Sequence, residues 1–429
     1  MLSTEYHIHL FGCITAEDLQ TQIESFGNKS IPSLDWYKSE FRKAYGRSPD
    51  IEGYFSSTKP EALETLKADY LCQSTVTFEQ FQASFNLAIA LHPDRLQDPT
   101  ILNRSFNRLK EDGITYAEFR IVLPPKLDRR SQSAYLSAMS SECQKLSDDI
   151  FTCRLAISLF RESPSLIEDY RHVKKWQRDH PALARYIKAV DFCMDEQNSS
   201  PSRFSELIDV VKADNREESK FALDVLAHAG EVFDRIGISI SASWINKWLD
   251  FGVRRIGHGL SLGASTAESR PTLVPREVLI EHLEATIENF SNLKKHDLPF
   301  EINELEKILI AAKAQNKKLC PWPPKDKTTE TETAWQRFTL DRFKSLSALL
   351  EICPTSNARL APFRLEPIYK KFKKAQIDLV VSTDDPGIFA TSLKNEIEYL
   401  TTECGWKTED LQRLKKSEIR LRDEFPSLT

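Results

Sequence analysis

The residues of this chain best suited to hydrolytic chemistry stand at the ends of short apolar runs: His7, His9, His228, Glu231, His258, Asp384 and Asp385. His7 and His9 lie in Thr4-Glu-Tyr-His-Ile-His-Leu10. Side chains alternate across a strand, so the two imidazoles project to one side and can address one ion. His228 and Glu231 come from Ala227-His-Ala-Gly-Glu231, where an apolar run stops at a histidine and turns through a glycine. His258 sits between two glycines, and Asp384 with Asp385 closes Ser382-Thr-Asp-Asp-Pro386. Three imidazole nitrogens and one carboxylate oxygen are borderline N/O donors, suited to zinc with a position left open for water. A bound dication lowers the pKa of that water to about 7. A carboxylic acid such as Glu231 can make an electrophile by protonating a ring nitrogen, and His258 can take or align the water's proton.

Each of these groups needs a rigid element behind it. Strand-like runs cover residues 4–10, 113–122, 151–159, 186–193, 221–229, 253–260, 349–354 and 377–386, with helical patterns between them. Short apolar strands alternating with amphipathic helices predict a parallel sheet, and this many repeats predict an α/β fold of the (β/α)8 TIM-barrel type. Such barrels present their chemistry at the C-terminal ends of the strands, which is where the residues above fall. Residues 1–429 are therefore read as a single barrel domain. The segment between His258 and Cys353 is too long for one crossover. It carries two helical patterns, one with Leu279, Leu283, Ile287 and Phe290, the other with Ile302, Leu305, Ile308 and Leu309. Residues 262–333 are taken as a helical insertion between the sixth and seventh strands, its polar run 325–333 as a mobile loop. From Ala16 to about Leu109 the pattern is helical, and Phe78, Phe81 and Phe85 at helical spacing predict packing inside a lid. Glu118 and Arg120 share a strand face and suggest a structural ion pair. His92, His172, His180, His282 and His296 end no strand and are read as structural.

With 41% hydrophobic and 28% charged residues among 429, the chain has the composition of a soluble protein with an ample core. A net charge of −5 exerts no long-range pull on nucleic acid or an anionic membrane. No apolar stretch approaches the roughly 20 residues needed to span a bilayer. The opening Met-Leu-Ser-Thr-Glu-Tyr-His has no basic segment followed by an apolar one, so no secretory leader is expected. The 8 cysteines are scattered without a C-x-x-C pair, which suggests reduced thiols and a cytoplasmic setting.

His7-Ile-His9, His228-Ala-Gly-Glu231, Ile256-Gly-His-Gly259, Cys353-Pro-Thr-Ser-Asn357 and Ser382-Thr-Asp-Asp-Pro386, in this order, resemble the adenosine/AMP deaminase family of metal-dependent amidohydrolase-type barrels. The resemblance spans most of the chain outside the insertion. It implies one Zn2+ per chain on His7, His9, His228 and Asp384. It further implies Glu231 as proton donor to purine N1, His258 as the group that orients or deprotonates the water, and Asp385 as hydrogen-bond partner of N7. The implied reaction adds water at C6 of a 6-aminopurine and expels ammonia, a step of purine and nucleotide metabolism.

Two departures from the family pattern bear on substrate. Where the first motif usually continues Leu-Asp-Gly, this chain has Leu10-Phe11-Gly12. Where the fourth strand usually ends Ala-Gly-Asp-Glu, it has Cys193-Met194-Asp195-Glu196. Phe11 removes a carboxylate from the sugar's 5′ side, so a 5′-phosphate is repelled less and an apolar 5′ substituent can pack. Met194 keeps the backbone N–H beside the base but adds a side chain. Both are expected to touch substrate, an adenine nucleoside, a 5′-nucleotide or another 5′-modified adenosine. The alternatives are another metal-dependent hydrolase on the same barrel and a nucleotide-binding scaffold with reduced turnover. Sequence gives no oligomeric state.

Overall fold

The computed structural model describes residues 2–424 apart from 27–32, 56–58, 93–98, 126, 267–271, 316 and 362. The strands are β1 (Thr4–His9), β2 (Tyr116–Val122), β3 (Thr152–Phe160), β4 (Ile187–Cys193) and β5 (Asp224–Ala229). They continue with β6 (Arg255–His258), β7 (Thr272–Pro275), β8 (Leu319–Trp322), β9 (Leu349–Ile352) and β10 (Asp378–Val381). Eight of them make one sheet in the order β1-β2-β3-β4-β5-β6-β9-β10, while β7 and β8 pair only with each other, antiparallel. The pairings β1–β2, β2–β3, β5–β6 and β6–β9 are parallel. Just beyond β10, Asp384 forms a parallel bridge to Ile8 of β1. This is the strand order and connectivity of a (β/α)8 barrel, as the alternation of strand and helix predicts.

Contacts divide the chain into two compact units. The first comprises Met1–Val190, Cys353–Pro362 and Val381–Thr402; the second comprises Asp191–Ile352, Phe363–Val380 and Glu403–Thr429. In the first, β2 and β3 are buried on both faces, with Ala117, Phe119, Ile121, Leu155 and Ile157 fully enclosed. That is what a parallel strand covered by helices requires, and it explains their nearly continuous apolar runs. Glu118 and Arg120 are buried among them. The helix Phe78–Ala90 begins at a capping box in which Thr77 and Gln80 exchange side-chain-to-backbone bonds of 3.3 and 3.0 Å. Phe81 and Phe85 on that helix are only half-buried, so the expected lid packing is incomplete.

In the second unit the helix Ile238–Asp250 is buried along almost its whole length, with Trp244, Ile245, Trp248 and Leu249 in the core. Below the ends of its strands, Arg255 and Glu351 pair at 2.8 Å with both side chains enclosed. Between β6 and β9 lie the β7–β8 hairpin and the helices Arg276–Glu288, Phe290–Lys294 and Ile302–Ala314. Leu279, Leu283, Leu293 and Leu305 are buried there, but Ile302 is exposed and Ile287, Phe290, Ile308 and Leu309 are half-buried.

The polar run 325–333 is not a mobile loop. Lys325–Lys327 form a 3-10 turn and Thr328 opens the helix Thr328–Ser345. Thr328, Thr331, Glu332 and Trp335 share a buried face at helical spacing. The threonine hydroxyls satisfy themselves on carbonyls one turn back, Thr328 on Pro324 at 3.0 Å and Thr331 on Lys327 at 2.6 Å. A polar composition therefore hides a helix that packs. Of the five histidines read as structural, His92 and His282 are buried, whereas His172, His180 and His296 are half-buried, the first on a helix and the other two just past helix ends.

Candidate active site

In the first unit, β1 ends on His7 and His9. Their Nε2 atoms each lie 3.3 Å from the same oxygen, Asp384 Oδ1. Two backbone bonds fix this relation: Asp384 N donates to His7 O at 3.0 Å and His9 N donates to Asp384 O at 2.8 Å. The Ser382 hydroxyl accepts from the amides of Tyr6 and His7 at 3.0 and 3.1 Å, so the two chain segments are tied on both sides of the cluster. The other oxygen of Asp384 accepts from Ser356 Oγ at 2.7 Å, which turns Oδ1 toward the imidazoles.

A tetrahedral ion with ligands at about 2.1 Å sets neighbouring donors about 3.4 Å apart, close to the separations of Asp384 Oδ1 from the two ring nitrogens. Burial holds His9 below the usual imidazole range, against the upward pull of Asp384. Its ring is therefore neutral at pH 7 and offers a lone pair. Ligand atoms of His9, Asp384 and Asp385 also lie within 4.8 Å of one another. The donor set fits a divalent ion.

Asp385 is enclosed beside Gly12, where an added Cβ would stand 1.8 Å from Asp385 Oδ1. Gly12 thus makes room for this carboxylate. Phe11 is 6% exposed and packs its ring 6.4 Å from Phe85. Phe85 meets His9 edge-on at 6.5 Å, and Phe81 stacks on Phe389 at 5.5 Å. An aromatic wall therefore stands beside His9, and its more exposed rings come from the helix Phe78–Ala90, which the lid reading had assigned to packing.

In the second unit, β5 and β6 place His228 and His258 side by side. Ala229 pairs in register with His258, and the two rings lie 5.5 Å apart, 29° from parallel. Nδ1 of His228 bonds Asp191 Oδ1 at 3.0 Å, with Asp191 fully buried. A carboxylate on one ring nitrogen fixes the neutral tautomer with the lone pair on the other, the usual support of a metal-ligating histidine. His258 Nδ1 lies 3.4 Å from Glu231 Oε1, so an imidazole and a carboxyl group are adjacent, an arrangement able to pass protons. Met194 follows β4 directly, is 43% exposed and has φ 79°.

Sequence reading missed three supporting residues: Asp191 behind His228, Ser356 behind Asp384, and Glu196, which accepts from the amides of Gly230, Glu231 and Val232. Asp191 carried a signal, being a carboxylate inside the apolar run Ala189-Val-Asp-Phe192.

Residues 332–422, which carry Ser356, Asp384 and Asp385, match the family model described as adenosine deaminase. Adenosine deaminase of Plasmodium knowlesi is 35% identical over 80 residues, 18% of this chain and 22% of that relative's length. Adenine deaminase of Arthrobacter aurescens superposes with TM-score 0.57 at 16% identity, over 97% of this chain and 92% of the other. In sequence, the likeness to adenosine deaminases lies within residues 332–422. A second deaminase structure, the Arabidopsis N6-mAMP deaminase, shares the fold with TM-score 0.56 at 17% identity, over 97% of this chain and 92% of the other. The aligned sequence spans less than a quarter of the curated relative, while the fold likeness runs through nearly the whole deaminase chain.

Proposed function

We propose that the chain is a hydrolase that deaminates a 6-aminopurine nucleoside or 5′-nucleotide, using one zinc ion held by His7, His9, His228 and Asp384. The observation that carries this reading is the pair of imidazole nitrogens sharing Asp384 Oδ1 at 3.3 Å each. When bound, the ion supplies Lewis-acid activation of water. The rest falls to side chains. Glu231 gives its proton to N1, which makes C6 electrophilic, and His258 accepts the proton of the attacking water. The new C6 hydroxyl returns its proton to Glu231, His258 protonates the amine, and the C6–N bond breaks to leave ammonia and a 6-oxopurine. Asp385 holds N7, with Phe11 toward the 5′ side of the sugar and Met194 beside the base.

On this reading residues 262–333 are an insertion in a single barrel domain, and they end in the first turns of the helix Thr328–Ser345. Among the described residues no helix is long and apolar enough to cross a membrane; this reading takes a small-molecule substrate and a cytoplasmic setting, with seven of the eight cysteines buried and none in a disulfide.

The test is loss of adenine absorbance with release of ammonia. The panel is adenine, adenosine, deoxyadenosine, their 5′-monophosphates, N6-methyl-AMP and 5′-methylthioadenosine. Glu231→Gln is expected to keep the metal and lose turnover; His9→Ala is expected to lose both. A Glu231→Gln variant as active as the parent overturns the assignment. Hydrolysis of amides or esters without ammonia release from any purine favours the other hydrolase.

A further inference from the structure

We infer that Glu196 is a positioning residue for the deamination, a clamp that sets where the Glu231 carboxyl stands; this rests on the deaminase reading above. After β5 the chain turns at Gly230, whose φ of 79° swings three successive amides inward. All three converge on one carboxylate: Gly230 N donates to Glu196 Oε2 at 2.6 Å, and Glu231 N and Val232 N donate to Glu196 Oε1 at 2.7 and 2.9 Å. Consecutive N–H groups aimed into one concavity form an anion-binding nest. Here the anion belongs to the chain itself, and Glu196 is 7% exposed.

The neighbours of Glu196 grip the far end of the same loop. Gln197 Oε1 accepts from Arg235 N at 2.8 Å, Gln197 Nε2 donates to Asp234 at 3.0 Å, and Asp195 pairs with the Arg235 guanidinium. The loop has little room to settle elsewhere, since a Cβ on Gly230 would come within 2.6 Å of Ser261 Oγ and 3.2 Å of Gly259 Cα. Bonds from residues 195–197 therefore fix both ends of the segment 230–235. Between them lies Glu231, whose Oε1 meets His258 Nδ1 at 3.4 Å.

Proton donation needs the acid within hydrogen-bond reach in the transition state, and a displacement of about 1 Å can cost about 100-fold. Losing the clamp is therefore felt in the chemical step more than in substrate binding.

The experiment compares the zinc-loaded parent with Glu196→Gln and Glu196→Asp. Glutamine keeps the shape but has one carbonyl oxygen, and its NH2 group opposes an amide N–H. Expected for Glu196→Gln are a 10- to 100-fold fall in kcat, KM within threefold of the parent, full zinc content, and faster hydrogen exchange confined to amides 230–232. Glu196→Asp, which keeps the charge at shorter reach, is expected to fall between them and serves if the glutamine variant does not fold. A purely structural role predicts a lower melting temperature with kcat unchanged in the folded enzyme. Either variant folded and zinc-loaded with kcat within twofold of the parent overturns the inference. A parent that deaminates no purine sinks the deaminase reading instead, and the exchange at 230–232 then still decides whether the clamp exists.

Discussion

Ser356 gives the most direct measure of how far the first-unit cluster is built for an ion. Its hydroxyl donates to Asp384 Oδ2 at 2.7 Å, with both residues buried. A hydrogen bond to a charged acceptor contributes about 1.5–3 kcal/mol. Ser356→Ala removes it and leaves the carboxylate free to rotate, so Oδ1 is no longer held toward His7 and His9. If that free energy serves orientation, it appears in metal affinity, and at about 1.4 kcal/mol per factor of ten the ion is bound roughly 10- to 150-fold more weakly. The assay titrates metal-free protein with Zn2+ against a chromophoric chelator, for parent and variant side by side, with melting temperatures recorded with and without the ion. The orientation argument predicts a larger melting-temperature difference in the metal-loaded pair than in the metal-free pair. Equal drops in both pairs, with zinc affinity within threefold of the parent, refute it and make Ser356 a folding contact alone.

Gly12→Ala would set a methyl group 1.8 Å from Asp385 Oδ1, and the carboxylate must move. Zinc content is expected to survive while kcat/KM falls about 100-fold or more, as expected for a misplacement of about 1 Å at the reacting end; assays on the purine that the parent prefers check it. Met194→Gly relieves a side chain from φ 79°, a strain of about 1–2 kcal/mol, partly offset by the flexibility of glycine in the unfolded chain. Stability in urea is expected to rise by up to about 1 kcal/mol. Glu396 is fully buried, its carboxyl pushed up to about 7 from 4.5 chiefly by that burial. The unfolded chain therefore releases this proton first as pH rises, so the stability that Glu396 lends is complete below about pH 4.5 and is lost as pH passes 7, roughly 3 kcal/mol at most. Unfolding of parent and Glu396→Gln at pH 4.5 and 7.5 checks the sign, the parent losing ground to the variant as pH rises.

How much of this was readable from sequence follows from what each feature depends on. Strands β1–β6, β9 and β10 were legible because burial on both faces imposes unbroken apolar runs, and the polar residues at their ends stood out because a histidine or aspartate there interrupts the run. The start of β5 was read too early, since Ser219–Phe221 form a 3-10 turn whose apolar Phe221 joins the core without joining the sheet. The β7–β8 hairpin was missed because Thr272–Pro275 and Leu319–Trp322 are short, contain proline and find each other across three helices. Asp191, Glu196 and Ser356 were missed for a different reason. Their roles lie in partners 28 to 37 residues away, and no local pattern names a partner.

Among the seven described non-glycine residues with positive φ, three stand at or just past strand ends: Met194, His258 and Asp384, with φ of 79°, 66° and 63°. His258 ends β6, Met194 follows β4, and Asp384 stands three residues past β10. A left-handed residue at this point turns the chain sharply out of the strand and re-aims the side chain there. Glycine makes such a turn at no steric cost but carries no functional group. At Asp384 and His258 the carboxylate and imidazole supply what glycine lacks, and the two backbone bonds between Asp384 and the β1 histidines hold the strained form in place. Met194 has the same backbone with an exposed thioether, where the family pattern has the glycine that the turn favours. Nothing in the turn requires a side chain at 194, so the strain there points to what the thioether meets above the strand ends. If Met194→Gly gains stability while KM for the preferred purine rises, the residue is retained for recognition rather than for the fold.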